Sequence, residues 1–360
     1  MTGRPSAGLR PAGTATGTVL ILRALGLGDT LTGIAALRGM RRAWPSSRLV
    51  LAGPAHYSGW LRELGIVDEV LPARGLAPLD WPVGATGHVA VNLHGCGPQS
   101  HRLLQATRPA RLLAFRCGAA GHDEGPDWSW DEHEVDRWCR LVTAAGGRCG
   151  PDDLRLPRLA ALHDEIVVHP GAAAGSRRWP VPRWRAVVQA LVRDGWRVVV
   201  TGGPEERERC ARVTAGQRGV RDLAGRLSVA SLADLVAGAP LLISGDTGAA
   251  HLATAYGTPS VLLFGPTAPE LWGPALDPEL HTVLWHGDRA AIGDPHATDI
   301  DPALAAITIG EVLCAVRAQL ATTPRTSQLP GDSHAPAFAL PALTHHRPPD
   351  FGSPDHRSVT

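Results

Sequence analysis

The chain predicts an α/β fold of two Rossmann-like parallel-sheet domains facing each other across a cleft, on three observations. Short apolar, β-rich runs alternate with helix-length segments from Thr18 to Phe264, the pattern of βαβ units. The alternation begins twice, at Thr18 and again at Ile166, with Gly146–Leu159 between. The runs end in glycine-containing turns, and in open parallel sheets ligands bind beyond the carboxyl ends of the strands.

The elements follow in order. Residues 1–17, rich in Gly, Ala, Thr and Pro, are expected to lack structure. Thr18–Arg23 is a strand, followed by the turn Gly26-Leu-Gly-Asp-Thr30 and a helix over Thr30–Arg42. Arg48–Ala52 and Val89–Leu93 are further strands, the latter ending at His94-Gly95. In the second half, Ile166–His169 ends in Pro170-Gly171. The helix Pro182–Asp194 has proline in its first turn, where it is tolerated, and stops at Gly195. Arg197–Val200 ends in Thr201-Gly-Gly-Pro. Leu241–Ile243 runs into Gly245-Asp-Thr-Gly248, a short helix ends at Gly257, and Ser260–Phe264 runs into Gly265-Pro-Thr267. Ile309–Leu320 carries apolar residues at 309, 312, 313, 316 and 320, the spacing of an amphipathic helix. Residues 323–360, rich in Pro, Ser and His, read as a disordered tail. The expected domains are 18–150 and 151–322.

Composition sets limits. At 360 residues the chain has room for two domains. With a formal net charge of +1, a broad nucleic-acid or anionic-membrane surface is not expected; any anion site must be local. There is no lysine, so all 35 basic residues are arginine. The six cysteines form no CxxC pair and no metal-ligand spacing, which suits a reduced, intracellular protein. No signal-peptide apolar region and no run of about 18 apolar residues is present. The expectation is therefore a cytoplasmic monomer with at most peripheral contact at the inner face of a membrane. Trp285-His-Gly-Asp288 and Gly293-Asp-Pro-His296 match no metal site, and no metal or cofactor is expected.

Three loops carry candidate chemistry. Thr247 and Gly248 would begin a helix whose free N–H groups and dipole favour an anion. Asp246 suits either a helix cap or the hydroxyls of a sugar, and His251, one turn in, is either packed or aimed at the same spot. The small-residue loop Val168-His-Pro-Gly-Ala-Ala-Ala-Gly-Ser-Arg-Arg-Trp-Pro180 offers Arg177 or Arg178 for bidentate contact with a diphosphate. Arg23-Ala-Leu-Gly-Leu-Gly-Asp29 resembles a dinucleotide loop, but Leu31 stands where a third glycine would be needed and no acidic residue closes Arg48–Ala52. A dehydrogenase is therefore not expected. What remains is Asp29, either a helix cap or a general base.

Taken in order, ILRALGLGDTLTGIAALRGMRRAWP, VNLHGCGPQSHRLL, VVHPGAAAGSRRWP, VVVTGGPEE, DLAGRLSVASLADLVAGA and SGDTGAAHLATAYGTPSVLLFGPT resemble glycosyltransferase family 9, the heptosyltransferase-like enzymes of GT-B fold. The resemblance covers most of Val19–Leu320. It implies inverting, metal-independent transfer of a sugar from a nucleoside-diphosphate donor, ADP-heptose or another NDP-sugar. The acceptor would be a hydroxyl on a glycan, a glycolipid or a small molecule. The donor would sit mainly in the second domain and the acceptor in the first. Asp29 matches the family's proposed catalytic base, and Asp246, Thr247, Gly248 and His251 match its donor-binding set. Arg177 stands where many members have a lysine on the diphosphate, a departure that keeps the charge. Candidate donor-loop positions are Gly171, Ser176, Arg178, Thr201, Gly202 and Gly225; Gly28, His94 and Gln99 are candidates on the acceptor side. The alternatives are a different NDP-sugar, or a non-catalytic nucleotide-sugar-binding protein.

Overall fold

The computed structural model describes residues 17–291 and 293–322; the expectations for residues 1–16 and 323–360 lie outside them. The first half runs β1 (Thr18–Leu22), α1 (Leu27–Thr32), α2 (Ile34–Ala43), β2 (Arg48–Gly53), α3 (Ala55–Glu63), β3 (Glu69–Pro72), β4 (Val89–Asn92), α4 (Pro98–Gln105), β5 (Arg111–Leu113) and α5 (Glu134–Ala144). The second runs β6 (Glu165–His169), α6 (Val181–Arg193), β7 (Arg197–Val200), α7 (Arg207–Thr214), β8 (Val220–Asp222), α8 (Val229–Gly238), β9 (Leu242–Gly245), α9 (Gly248–Tyr256), β10 (Ser260–Leu263), α10 (Pro269–Trp272), β11 (His281–Leu284), α11 (Pro302–Ala306) and α12 (Ile309–Thr322).

The strands form two parallel sheets, ordered β3-β2-β1-β4-β5 and β11-β10-β9-β6-β7-β8. This is the expected two-sheet α/β architecture. The central strands are covered on both faces: Val19 to Leu22 are at most 1% exposed, as expected for parallel sheets flanked by helices. Burying each such side chain contributes about 1.5–3 kcal/mol. One apolar cluster contains side chains from both sheets and their helices, from Ile21 and Leu37 to Leu242 and Leu252. Polar contacts also join the halves. His133 Nε2 lies 3.0 Å from the Gly273 carbonyl oxygen, and Arg155 makes a two-pronged bridge to Asp277 with both N–O distances 2.7 Å.

The helix expected over Thr30–Arg42 begins earlier and is divided. Gly26 caps α1, and Gly33 separates α1 from α2. At the break a Cβ on Gly33 would lie 2.8 Å from Arg23 Cδ and Nε. The buried arginine arm thus occupies the space that a side chain would need. The helix expected over Ile309–Leu320 is α12; its Val312 and Val316 are buried and it packs on α6, β10 and β11.

Candidate active site

Each sheet reverses its sequential strand order at one point. In the first, the sequence order reverses between β1 and β4; in the second, between β9 and β6. Such switch points open a crevice at the carboxyl edge. The first turn of the helix after β1 carries Asp29, and the loop after β9 carries Asp246 and Thr247. The helices that follow these two strands, α1 and α9, pack end against end. A Cβ on Gly28 would lie 3.0 Å from His251 Cδ2 and 3.8 Å from the Gly248 nitrogen, and one on Gly248 would lie 2.7 Å from Leu27 Cγ. Glycine at both positions permits this approach. Asp29, Asp246, Thr247, Gly248 and His251, scattered over more than 200 residues of sequence, therefore share one site.

Local chemistry sets each of them. Gly26 is extended (φ −70°, ψ 179°), and its N–H donates to Asp29 Oδ2 at 3.2 Å. Asp29 therefore does cap its helix from the third position, the reading that the sequence left open. It is also half-buried, and burial pushes its carboxyl above the usual range; Arg23 opposes the shift and Glu134 adds to it. Thr247 precedes α9 in extended conformation, but its hydroxyl pairs with Ser244 Oγ at 2.9 Å and leaves the first turn of α9 without a side-chain cap. Asp246 is 6% exposed. Burial pushes its pKa up to about 6, with Arg177 opposing and Asp29 contributing. Burial, with help from His133, Arg23 and Arg177, lowers His251 to about 4, so its imidazole is neutral at pH 7. The His251 ring stands edge-on to Trp272, with centroids 6.1 Å apart.

Arg177 reaches this site from the loop after β6. Its Nη1 donates to the Asp246 carbonyl at 3.3 Å, while its Nε is buried without a partner. Ser176 Oγ is likewise buried and unpartnered. The loop is braced from behind: Ser176 N donates to Ala297 O at 2.9 Å and Asp301 N to Ser176 O at 3.1 Å. Arg178 is used within its own loop, donating to the carbonyls of Ala172 (2.8 Å) and Ala173 (3.2 Å).

Gly171, Thr201 and Gly202 gather instead around Glu206, and Gly225 lies beside them against Arg207. Gly171 and Gly202 lie against its side chain, where Cβ atoms would clash. Glu206 Oε2 accepts from Gly203 N at 2.7 Å and faces His169 Nε2 at 3.8 Å; His169 Nδ1 meets Thr201 Oγ1 at 3.0 Å. Gly225 has φ +65°, and its N–H donates to the Gly202 carbonyl at 2.8 Å. On the first-half side, His94 Nδ1 accepts from Ala24 N at 3.2 Å, which ties it to the Asp29 loop. Gln99 lies exposed in the first turn of α4.

The sequence reading missed His169, Glu206, Arg23 and Glu134. Glu206 had a signal, two adjacent glutamates in a turn after a strand. Glu134 had none, because its partner Arg23 is 111 residues away. Among the described residues no group of three or more His, Cys, Asp or Glu is placed to hold a metal ion, and no helix is long and apolar enough to cross a membrane.

The model of glycosyltransferase family 9 (heptosyltransferase) matches residues 127–292. Lipopolysaccharide heptosyltransferase 1 of Salmonella typhimurium is 27% identical over 294 residues, 71% of this chain and 90% of that protein. Over these stretches the chain resembles glycosyltransferase family 9. Lipopolysaccharide heptosyltransferase 1 of Pseudomonas aeruginosa is 33% identical over 154 residues. That alignment spans 40% of this chain and 43% of the relative's length. Among solved structures, E. coli ADP-heptose lps heptosyltransferase II superposes with TM-score 0.64 at 19% identity, covering 84% of this chain and 98% of that one. The E. coli heptosyltransferase WaaC with ADP gives TM-score 0.62 at 20% identity, covering 84% and 99%. These likenesses place the fold of the chain in the GT-B class.

Proposed function

We propose that this protein is an inverting glycosyltransferase of family 9. It moves a heptose-like sugar from ADP-heptose, or another NDP-sugar, to a hydroxyl of a glycan or glycolipid. The observation that carries the reading is the meeting of α1 and α9, which sets the turn that carries Asp29 beside the uncapped start of α9. The ADP bound to one structural relative and the lipopolysaccharide named for another relative support the choice of donor and acceptor class.

In this reading residues 151–322 hold the donor and residues 18–150 the acceptor. Asp29 takes the proton from the attacking hydroxyl while the oxygen forms the new bond to the anomeric carbon on the face opposite the leaving group. A positioned base of this kind contributes roughly 10²–10⁴-fold, and a carboxyl raised by burial is a better match to it than a free one. The departing nucleoside diphosphate takes the bonding electron pair. Its charge meets Arg177 and the first-turn N–H groups of α9, fixed donors that need no reorganisation. Asp246, buried beside Arg177, is suited to sugar hydroxyls rather than to phosphate. The reaction would take place where nucleotide sugars are made, at the cytoplasmic face of the membrane.

Calorimetry with ADP, ADP-heptose, UDP and GDP, followed by release of ADP in the presence of a cell-envelope glycolipid extract, tests this. Binding of ADP and its heptose derivative with acceptor-dependent ADP release is the expected result. No binding of any nucleoside diphosphate at millimolar concentration would refute the donor assignment. Tight binding without release would favour a non-catalytic binding protein.

A further inference from the structure

Behind Asp29 lies a buried charge that the mechanism above does not use. Arg23, the residue after β1 and its single-residue extension, is 2% exposed. Its Nε donates to the carbonyl oxygen of Asp29, its Nη1 to that of Leu93 at 2.6 Å, and its Nη2 to Thr32 Oγ1 at 2.9 Å. Nη2 also bridges to Glu134 Oε1 at 3.2 Å. Glu134, 4% exposed, is itself held by Arg137 and by Trp138 Nε1 at 2.6 Å, and the Trp138 ring lies 5.0 Å from Arg23 Cζ. The fork thus ties together α1, α5 and the end of β4.

The need for such a tie follows from α1 itself. It has six residues, too few to hold a helical shape alone, and the break at Gly33 separates it from the longer α2. Its orientation must come from outside. Arg23 grips the peptide of Asp29 itself, and its arm fills the space at the break.

We infer that Arg23, clamped by Glu134, is a positioning residue for Asp29: it fixes the first turn of α1 and so the place where the carboxylate stands against α9. This rests on Asp29 being the base. Other charged or titratable groups also stand around that turn. Asp246 in the second half interacts with the carboxylate electrostatically, His251 packs against the neighbouring Gly28, and His94, from the loop after β4, binds the Ala24 N–H earlier in the same turn. Arg23 and Glu134 act on Asp29 in opposite directions, the first holding its carboxyl down and the second pushing it up.

The opposition gives a test that a merely structural role would not pass. The Asp29 carboxyl can be titrated by carbon NMR in aspartate-labelled protein, with Asp29→Asn identifying the signal. Glu134→Gln, nearly isosteric, should lower the Asp29 midpoint, and Arg23→Met should raise it. Arg23→Lys keeps the charge but loses the fork. It should leave the midpoint near that of the parent while acceptor-dependent ADP release from ADP-heptose falls about 10- to 100-fold, as for a reacting group displaced by about 1 Å, at unchanged ADP affinity. If the Arg23 variants do not fold, Glu134→Gln and Gly33→Ala carry the test. The second should lower turnover at unchanged affinity by pushing the Arg23 arm. An Asp29 midpoint unmoved in Glu134→Gln, or parental turnover in Arg23→Lys or Gly33→Ala, would overturn the role of Arg23. A fully active Asp29→Asn would instead overturn the base assignment on which it rests.

Discussion

Arg177→Ala should weaken binding of ADP by about 10- to 150-fold. The guanidinium makes one long bond, Nη1 to the Asp246 carbonyl at 3.3 Å, and its Nε is buried without a partner. A diphosphate oxygen would give that Nε a charge-assisted bond and would also relieve an unsatisfied buried donor. Hydrogen bonds to charged groups contribute about 1.5–3 kcal/mol, and about 1.36 kcal/mol corresponds to a tenfold change, which gives the range stated. Arg177→Lys keeps the charge but cannot both hold the Asp246 carbonyl and reach the ligand as a fork does, so a loss of about tenfold or less is expected. The alanine variant has a second signature. Arg177 holds the Asp246 carboxyl down, so its removal should raise the Asp246 midpoint beyond about 6. Isothermal calorimetry with ADP at low ionic strength, beside a thermal melt to verify folding, reads the first effect. A folded Arg177→Ala protein with the parental dissociation constant would refute the assignment of Arg177 to the diphosphate.

Asp29→Asn can still cap α1 through its side-chain oxygen, so melting temperature and ADP affinity should hardly change, while turnover falls roughly 10²–10⁴-fold; a stopped ADP-release assay measures it. In the parent enzyme the acid limb of the rate profile should lie above the usual carboxylate range, because burial raises Asp29 and only the ionised form accepts a proton. Gly28→Ala places a methyl 3.0 Å from His251 Cδ2. Separating α1 from α9 in this way should slow transfer more than it weakens ADP binding, and equal losses in both would count against the shared site. Stability against pH should show two opposed effects. Asp246, raised from 3.8 to about 6, binds its proton more tightly when folded, so its contribution is full below pH 3.8 and is lost as pH rises to about 6. His251, lowered from 6.5 to about 4, does the reverse and loses stability as pH falls through that window. Each amounts to about 3 kcal/mol by linkage. Asp246→Asn should therefore make the protein more acid-sensitive between pH 6.5 and 4, and His251→Gln less so, as urea melts at pH 4.5 and 7 would show; no change in either would refute the burial argument.

The sequence by itself determined the interior of both sheets. Every strand it predicts, β1, β2, β4, β6, β7, β9 and β10, is an interior strand, and the four it did not reveal, β3, β5, β8 and β11, are the four sheet edges. The reason is burial: an interior parallel strand is covered on both faces and reads as an apolar run. Edge segments such as Val220-Arg-Asp222 are half-exposed and carry charges. Asp29, Arg177, Asp246 and His251 were legible too, because each sits in the turn after a strand or the first turn of the helix that follows it, where residue type and position already imply anion or proton chemistry. Only the tertiary structure decided which of these turns meet. It joined the Asp29 and Asp246 loops through two glycine contacts, drew Gly171, Thr201 and Gly202 around Glu206, and set Arg23 against Glu134. Those pairings depend on how two sheets and their helices pack. No local pattern encodes a contact between residues 111 positions apart, so the charge behind the candidate base could be found only in three dimensions.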